Sequence, residues 1–143
     1  MASKASAVWT GSLKEGKGIM STATGVLSNA NYSFATRFEG AASGTTPEEL
    51  IAAAHAGCFS MALGAQLGNA GLTPSRIETH AAVTLAKGEA GFSITRIALS
   101  TTASVPGATQ EVFEKAAANA KAGCPISRLF ANNTEISLDA KLV

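Results

Sequence analysis

The spacing of apolar and polar positions changes several times along the chain, and the changes mark out its elements. Residues 5–13 alternate loosely around Val8 and Trp9, as a strand does, and Gly16-Lys17-Gly18 marks a turn. Residues 18–21 and 25–27 are further short strand candidates. A polar loop over 28–33 leads into the segment 34–38, read with the strands, and GAASGTT over 40–46 is a second loop. A helix then begins sharply. Thr46 is a suitable N-cap, Pro47 fits the first helical position, and Glu48 and Glu49 complement the positive end of the helix dipole. Leu50, Ala53, Ala54, Gly57, Cys58, Met61, Ala62 and Ala65 follow at helical spacing, and Gly68 and Gly71 end the run. Few charges follow Glu49, which predicts a helix buried on more than one side.

Period-two alternation returns over 77–86 and again over 92–105, with a turn between them, so the two form a long hairpin. Residues 109–122 read as a second helix, with Val112, Phe113, Ala116, Ala117 and Ala120 apolar and Gly123 as its stop. Pro125 opens a short helix over 126–130, and 135–142 closes the chain as a strand. No repeat or linker interrupts the pattern, which predicts one α+β domain spanning residues 1–143.

The chain has 143 residues, 46% of them hydrophobic and 15% charged, which suits a folded domain with a core rather than a disordered segment. The formal net charge is +1 with no run of Lys or Arg, so neither nucleic acid nor an anionic membrane surface is implied as a partner. The N-terminus has no apolar stretch of leader length. The longest mildly apolar window, LIAAAHAGCFSMALGAQLG, is interrupted by His55, Ser60 and Gln66, so no membrane span is expected. These features point to a soluble, cytoplasmic protein. Scarce aromatics and abundant Ala and Gly suggest close backbone packing, completed by a partner chain.

The two cysteines, Cys58 and Cys124, do not form a CxxC pair, and a structural disulfide is out of place where thiols are kept reduced. A zinc site drawn from Cys58, Cys124, His55 and His80 has only the i, i+3 spacing of His55 and Cys58 in its favour. Both cysteines as small buried apolar residues is the plain alternative. Against it stand three features. Cys124 lies between Gly123 and Pro125 at a helix start, where free backbone N–H groups can stabilise a thiolate. Cys58 follows Gly57 on a helix of small residues. Arg37 and Glu48, in segments leading to that helix, offer a cation for a thiolate and a carboxylate to hold the cation.

The segments TRFEG (36–40), TTPEELIAAAHAGCFSMALG (45–64) and KAGCPIS (121–127) resemble the osmotically inducible protein C and organic hydroperoxide resistance family, and its osmotically inducible branch through RFEG and AAHAGCFSMAL. The resemblance runs over essentially the whole chain. It implies an OsmC-like α+β fold with antiparallel sheets and a long central helix, assembled as an intertwined homodimer. It implies a thiol peroxidase that prefers organic hydroperoxides, with Cys58 as peroxidatic cysteine, Cys124 as resolving cysteine, Arg37 as activating cation and Glu48 as its carboxylate partner. A dithiol reductant of the lipoyl type is implied, and no metal, haem or flavin cofactor.

Local sequence favours Cys124 as the thiolate, so a nucleophilic Cys58 needs a neighbouring positive charge. Glu48 and Cys58 are ten positions apart on one helix, about 15 Å along its axis. An arginine touching the sulfur cannot easily reach that carboxylate within one chain, which predicts a site shared across a two-fold axis. Phe38, Phe59, Met61 and Leu129 are candidate walls of an apolar pocket, or ordinary core. Glu49 competes with Glu48 for Arg37. His55 reads as hydrogen-bonded structure, Glu39 and Arg128 as surface ion-pair formers, Ser60 and Ser127 lack a nucleophile-elbow context, and Gly16-Lys17-Gly18 is too short for a phosphate loop. Beside the peroxidase stand two other functions, a carrier of a small apolar ligand and a thiol redox sensor.

Overall fold

The computed structural model describes residues 1–143, which form two compact units, Met1–Leu50 and Ile51–Val143. In the first unit, β1 (Ala5–Thr10), β2 (Lys17–Thr22) and β3 (Ala30–Tyr32) make an antiparallel sheet in that order. Gly18 is in register with Trp9 on one side and Tyr32 on the other. The two rings meet over it with centroids 5.5 Å apart, and a Cβ at Gly18 would strike both. This is the physical reason for glycine there.

Several expectations fail in this unit: the loop read over 28–33 contains β3, and Lys17 and Gly18, read as part of a turn, begin β2. Residues 25–27 lie in a turn rather than a strand, and Phe34–Phe38 is a helical turn, α1. The cause is a capping box. The Thr36 N–H donates to the Ser33 hydroxyl at 3.1 Å, and the Ser33 N–H donates to the Thr36 hydroxyl at 2.8 Å, so two otherwise orphaned donors are satisfied.

α2 (Pro47–Asn69) begins as expected, with the Glu49 N–H donating to the Thr46 hydroxyl at 3.0 Å. Its end is a complete Schellman motif. The Leu72 N–H donates to the Leu67 carbonyl, the Gly71 N–H to the Gly68 carbonyl, and Gly71 takes φ +74°. One face of α2 supplies Phe59, Leu63 and Leu67, each with no exposed surface. The opposite face is not buried as the pattern predicted: Met61 is 80% exposed and Ala53, Ala54, Gly57 and Ala65 are exposed too. By length and composition α2 is also apolar enough to cross a membrane, contrary to expectation. Only 22% of that stretch is buried, through one face that holds the fully buried Phe59, Leu63 and Leu67.

In the second unit, β4 (Arg76–Gly88) and β5 (Gly91–Ser104) form the expected hairpin, closed at Gly88 and Gly91 and irregular between Thr84 and Leu85. α3 (Gln110–Gly123), capped by the Thr109 hydroxyl, and α4 (Pro125–Phe130) then cross back to β6 (Glu135–Leu142). A helical crossover returns the chain in the same direction, so β6 pairs parallel with β5. This sheet is therefore mixed rather than wholly antiparallel. Ile97, Leu99 and Ala103 of β5 and Phe113, Ala116, Ala117 and Ala120 of α3 complete the core against α2. Burial of each large side chain contributes about 1.5–3 kcal/mol.

Candidate functional site

Four residues singled out by sequence form two pairs, one in each unit. In Met1–Leu50, Arg37 at the end of α1 meets Glu48 in the first turn of α2. Arg37 Nη2 donates to Glu48 Oε1 at 2.7 Å, and Nε donates to Oε1 at 3.1 Å and Oε2 at 3.3 Å. The Glu48 side chain is 10% exposed and that of Arg37 37%. A two-nitrogen grip on a nearly buried carboxylate fixes the guanidinium plane as lysine could not. The Phe38 ring lies 5.3 Å from Arg37 Cζ and packs on Phe34, so the cation is also held by an aromatic face.

The choice between the two adjacent carboxylates is thereby settled. Glu48 takes Arg37, while Glu49 accepts a hydrogen bond from the Thr45 hydroxyl. A small apolar cavity of about 260 Å³ adjoins the pair, lined by Trp9, Leu13, Tyr32, Phe34, Phe38 and Arg37 among others.

In Ile51–Val143, α2 and the α3–α4 junction bring the two cysteines together. Their sulfurs lie 2.8 Å apart, both residues are free thiols, and Cys124 is fully buried while Cys58 is partly exposed. Cys124 is the residue between α3 and α4, with φ −55° and ψ 125°.

The two thiols differ electrostatically. Burial raises the Cys58 pKa above its ordinary value, and the neighbouring Cys124 raises it further against a hydrogen bond from the Ile126 N–H. Burial also pushes Cys124 upward. The hydrogen bond shared with Cys58, those from the Ser127 N–H and hydroxyl, and that from the Ile126 N–H outweigh burial, and its pKa is lowered. The two sulfurs share one hydrogen bond, so their titrations are linked.

His55 and Ser127, set aside on sequence grounds, belong to the same cluster. His55 is one turn before Cys58 and fully buried, and its Nε2 lies 2.7 Å from Ser127 Oγ. Ser127 is 3% exposed and one turn after Cys124. The clue available in sequence was the matched spacing: each polar residue stands three positions from a cysteine. Burial holds the His55 pKa below 6.5.

The remaining candidates disperse. Phe59 is core, whereas Met61 and Leu129 are 80% and 68% exposed. His80 lies on exposed β4 beside Glu78, which also pairs with Arg76. Glu39 and Arg128 are in none of the ion pairs.

Comparison with known proteins places this geometry among relatives. A family described as "OsmC-like protein" matches residues 40–139. The chain is 52% identical over 139 residues to a protein named peroxiredoxin OsmC from Escherichia coli K12, covering 97% of this chain and 95% of that one. Two solved structures resemble the fold. An OsmC-like protein from Mycoplasma pneumoniae superposes with a TM-score of 0.76 at 14% identity, covering 100% of this chain and 98% of that one. The organic hydroperoxide resistance protein OhrB of Bacillus subtilis does so with a TM-score of 0.73 at 24% identity, covering 96% and 98%.

Proposed function

The chain belongs to the OsmC-like family, and we propose that it acts there as a thiol peroxidase that reduces organic hydroperoxides to alcohols. The observation that carries this reading is the placement of two free thiols 2.8 Å apart, one of them partly exposed, on segments 66 positions apart. A sulfenic acid formed on one sulfur then has its resolving thiol already in reach. The name of the 52% identical relative supports peroxidase chemistry.

In the proposed cycle the Cys58 thiolate attacks the distal oxygen of ROOH. The O–O bond breaks, the alkoxide leaves and takes a proton as ROH, and Cys58 becomes a sulfenic acid. Cys124 attacks that sulfur, the hydroxyl leaves as water, and a Cys58–Cys124 disulfide forms. A dithiol of the lipoyl type reduces the disulfide by exchange, its own two sulfurs ending as a disulfide. Since burial raises the Cys58 pKa, its thiolate needs a cation. Arg37, held by Glu48, takes that role. In a homodimer the Arg37–Glu48 pair of one subunit would serve Cys58 of the other. The exposed Ala- and Gly-rich face of α2 supports such close helix packing, as does the apolar surface left open at Met61. The whole chain, 1–143, works as one functional domain in the cytoplasm.

The test is multiple-turnover consumption of tert-butyl hydroperoxide with dihydrolipoamide, for the wild type and Cys58→Ser. Turnover in the wild type that is lost in Cys58→Ser is the expected result. No turnover with this or any other dithiol overturns the peroxidase in favour of a carrier of small apolar ligands. A single reaction without recycling favours a redox sensor.

A further inference from the structure

Two side-chain contacts join α2 to the segment that leads into α4, and the cycle above uses only one of them. The first is the sulfur pair, at 2.8 Å. The second lies three residues along each segment, where His55 Nε2 is 2.7 Å from Ser127 Oγ. Residues three apart on a helix are neighbours on one face, so His55 stands beside Cys58 on α2. Ser127 likewise stands in the first turn of α4, whose N-cap is Cys124. His55 and Cys124 have no exposed surface and Ser127 is 3% exposed, so water does not compete for this bond. The other ring nitrogen fixes its direction. Nδ1 is buried with no hydrogen-bond partner. A buried ring N–H without an acceptor is costlier than an unused lone pair, so the proton sits on Nε2 and is donated to the Ser127 hydroxyl.

The first turn of α4 has little else to hold it. Ser127 is the one buried residue of this six-residue helix. Pro125, Arg128 and Leu129 are exposed, and Phe130, which packs on the core, is at the far end.

We propose that His55 and Ser127 are positioning residues whose hydrogen bond clamps the Cys124 segment to α2, holding the two sulfurs in contact before any bond forms between them. The proposal deepens the peroxidase reading and rests on it for its place in the cycle, while the clamp itself rests on the two contacts.

The consequence is confined to closure of the S–S bond. When Cys124 attacks the Cys58 sulfenic acid, the S–S bond forms, the S–O bond breaks, and the hydroxyl leaves as water with the Cys124 proton. Without the clamp the segment must be ordered at that moment, and fixing the backbone of a single residue slows closure by about tenfold. Attack of Cys58 on the hydroperoxide comes earlier and does not use the Cys124 sulfur.

The experiment is a thiol–disulfide equilibrium of the full chain with glutathione, which requires no hydroperoxide. One oxidised glutathione becomes two reduced glutathiones as the two protein thiols become the Cys58–Cys124 disulfide. The equilibrium constant is the effective concentration of one sulfur at the other. Ser127→Ala and His55→Leu should each lower it by about tenfold, and the double variant should fall no further, because both remove the same bond. Ser127→Thr and His55→Gln, which keep the hydroxyl and the N–H donor, should stay within about twofold of the wild type. Ser127 borders a cleft of about 470 Å³ between α3 and β6, which leaves room for the threonine methyl. After a pulse of hydroperoxide, Ser127→Ala should close its disulfide about tenfold more slowly, with the sulfenic acid accumulating in the interval. An effective concentration unmoved in Ser127→Ala, or in His55→Leu should Ser127→Ala fail to fold, overturns the clamp. So does an equal fall in Ser127→Thr, or single effects that simply add. A wild type that does not consume hydroperoxide, while the effective concentrations fall as stated, would overturn the peroxidase and leave the clamp standing.

Discussion

The sulfur of Cys58 lies 2.8 Å from that of Cys124, although 66 positions separate them. The contact joins the middle of α2 to the α3–α4 junction, two segments held by the same core through Phe59 and Leu63 on one side and Ala117 and Ala120 on the other. Closure of a disulfide here needs little rearrangement of the backbone. One equivalent of hydroperoxide added to reduced protein should convert both thiols to a single intramolecular disulfide, seen as loss of all alkylatable cysteine by mass spectrometry. Cys124→Ser should instead accumulate a Cys58 sulfenic acid that a dimedone-type reagent traps. Label found on Cys124 in a Cys58→Ser protein, with turnover retained, would show that the roles are reversed.

The Arg37–Glu48 pair should respond asymmetrically to truncation. Arg37→Met leaves a carboxylate that is only 10% exposed without its partner, whereas Glu48→Gln leaves a guanidinium that is 37% exposed and can turn to water. The expected costs are about 1–3 kcal/mol for Arg37→Met and below about 1 kcal/mol for Glu48→Gln. Urea denaturation at one fixed protein concentration measures both. Equal costs would mean that the carboxylate is better solvated than its burial indicates. Both variants should also lose peroxidase rate, because the first loses the cation and the second its orientation.

Much of this arrangement was legible in the sequence, and the failures have separate physical causes. The start of α2 at Thr46-Pro47-Glu48-Glu49, the hairpin and the second helix carry local capping and period signals that tertiary contacts reinforce. α1 escaped because Ser33 and Thr36 specify it through reciprocal hydrogen bonds rather than through apolar period. The parallel pairing of β6 depends on the path of the α3–α4 crossover, which the alternation within 135–142 does not encode. The exposed face of α2 was misjudged for another reason. An Ala- and Gly-rich stripe has the same composition whether it packs inside its own chain or against another. The pairing of His55 with Ser127 spans 72 positions, and the three-residue spacing of each from a cysteine is the one signal that the sequence holds for it.

Met61 tests that stripe. It is 80% exposed in the single chain, at the centre of the uncovered side of α2. Met61→Glu should leave the core contacts of Phe59 and Leu63 untouched yet convert a homodimer to monomer, read as a halved mass in light scattering. The variant should also unfold at a denaturant concentration that no longer depends on protein concentration. A wild type that is already monomeric overturns the proposed homodimer, and a Met61→Glu protein that remains dimeric places the subunit contact elsewhere. Leu63→Ala, by contrast, opens a cavity in a fully buried site and should cost about 2–5 kcal/mol.

The pH dependence of stability follows from His55. The ring is fully buried, and burial holds its pKa below the ordinary 6.5. The unfolded chain therefore binds a proton that the folded chain resists as pH falls through 6.5. Stability is fully present above that value and declines below it, down to the depressed folded pKa. Urea midpoints measured from about pH 7.5 to 5 should fall on the acid side in the wild type and fall less steeply in His55→Gln, which has no group to protonate there. An acid limb that persists undiminished in His55→Gln would assign the linkage to groups outside the buried cluster.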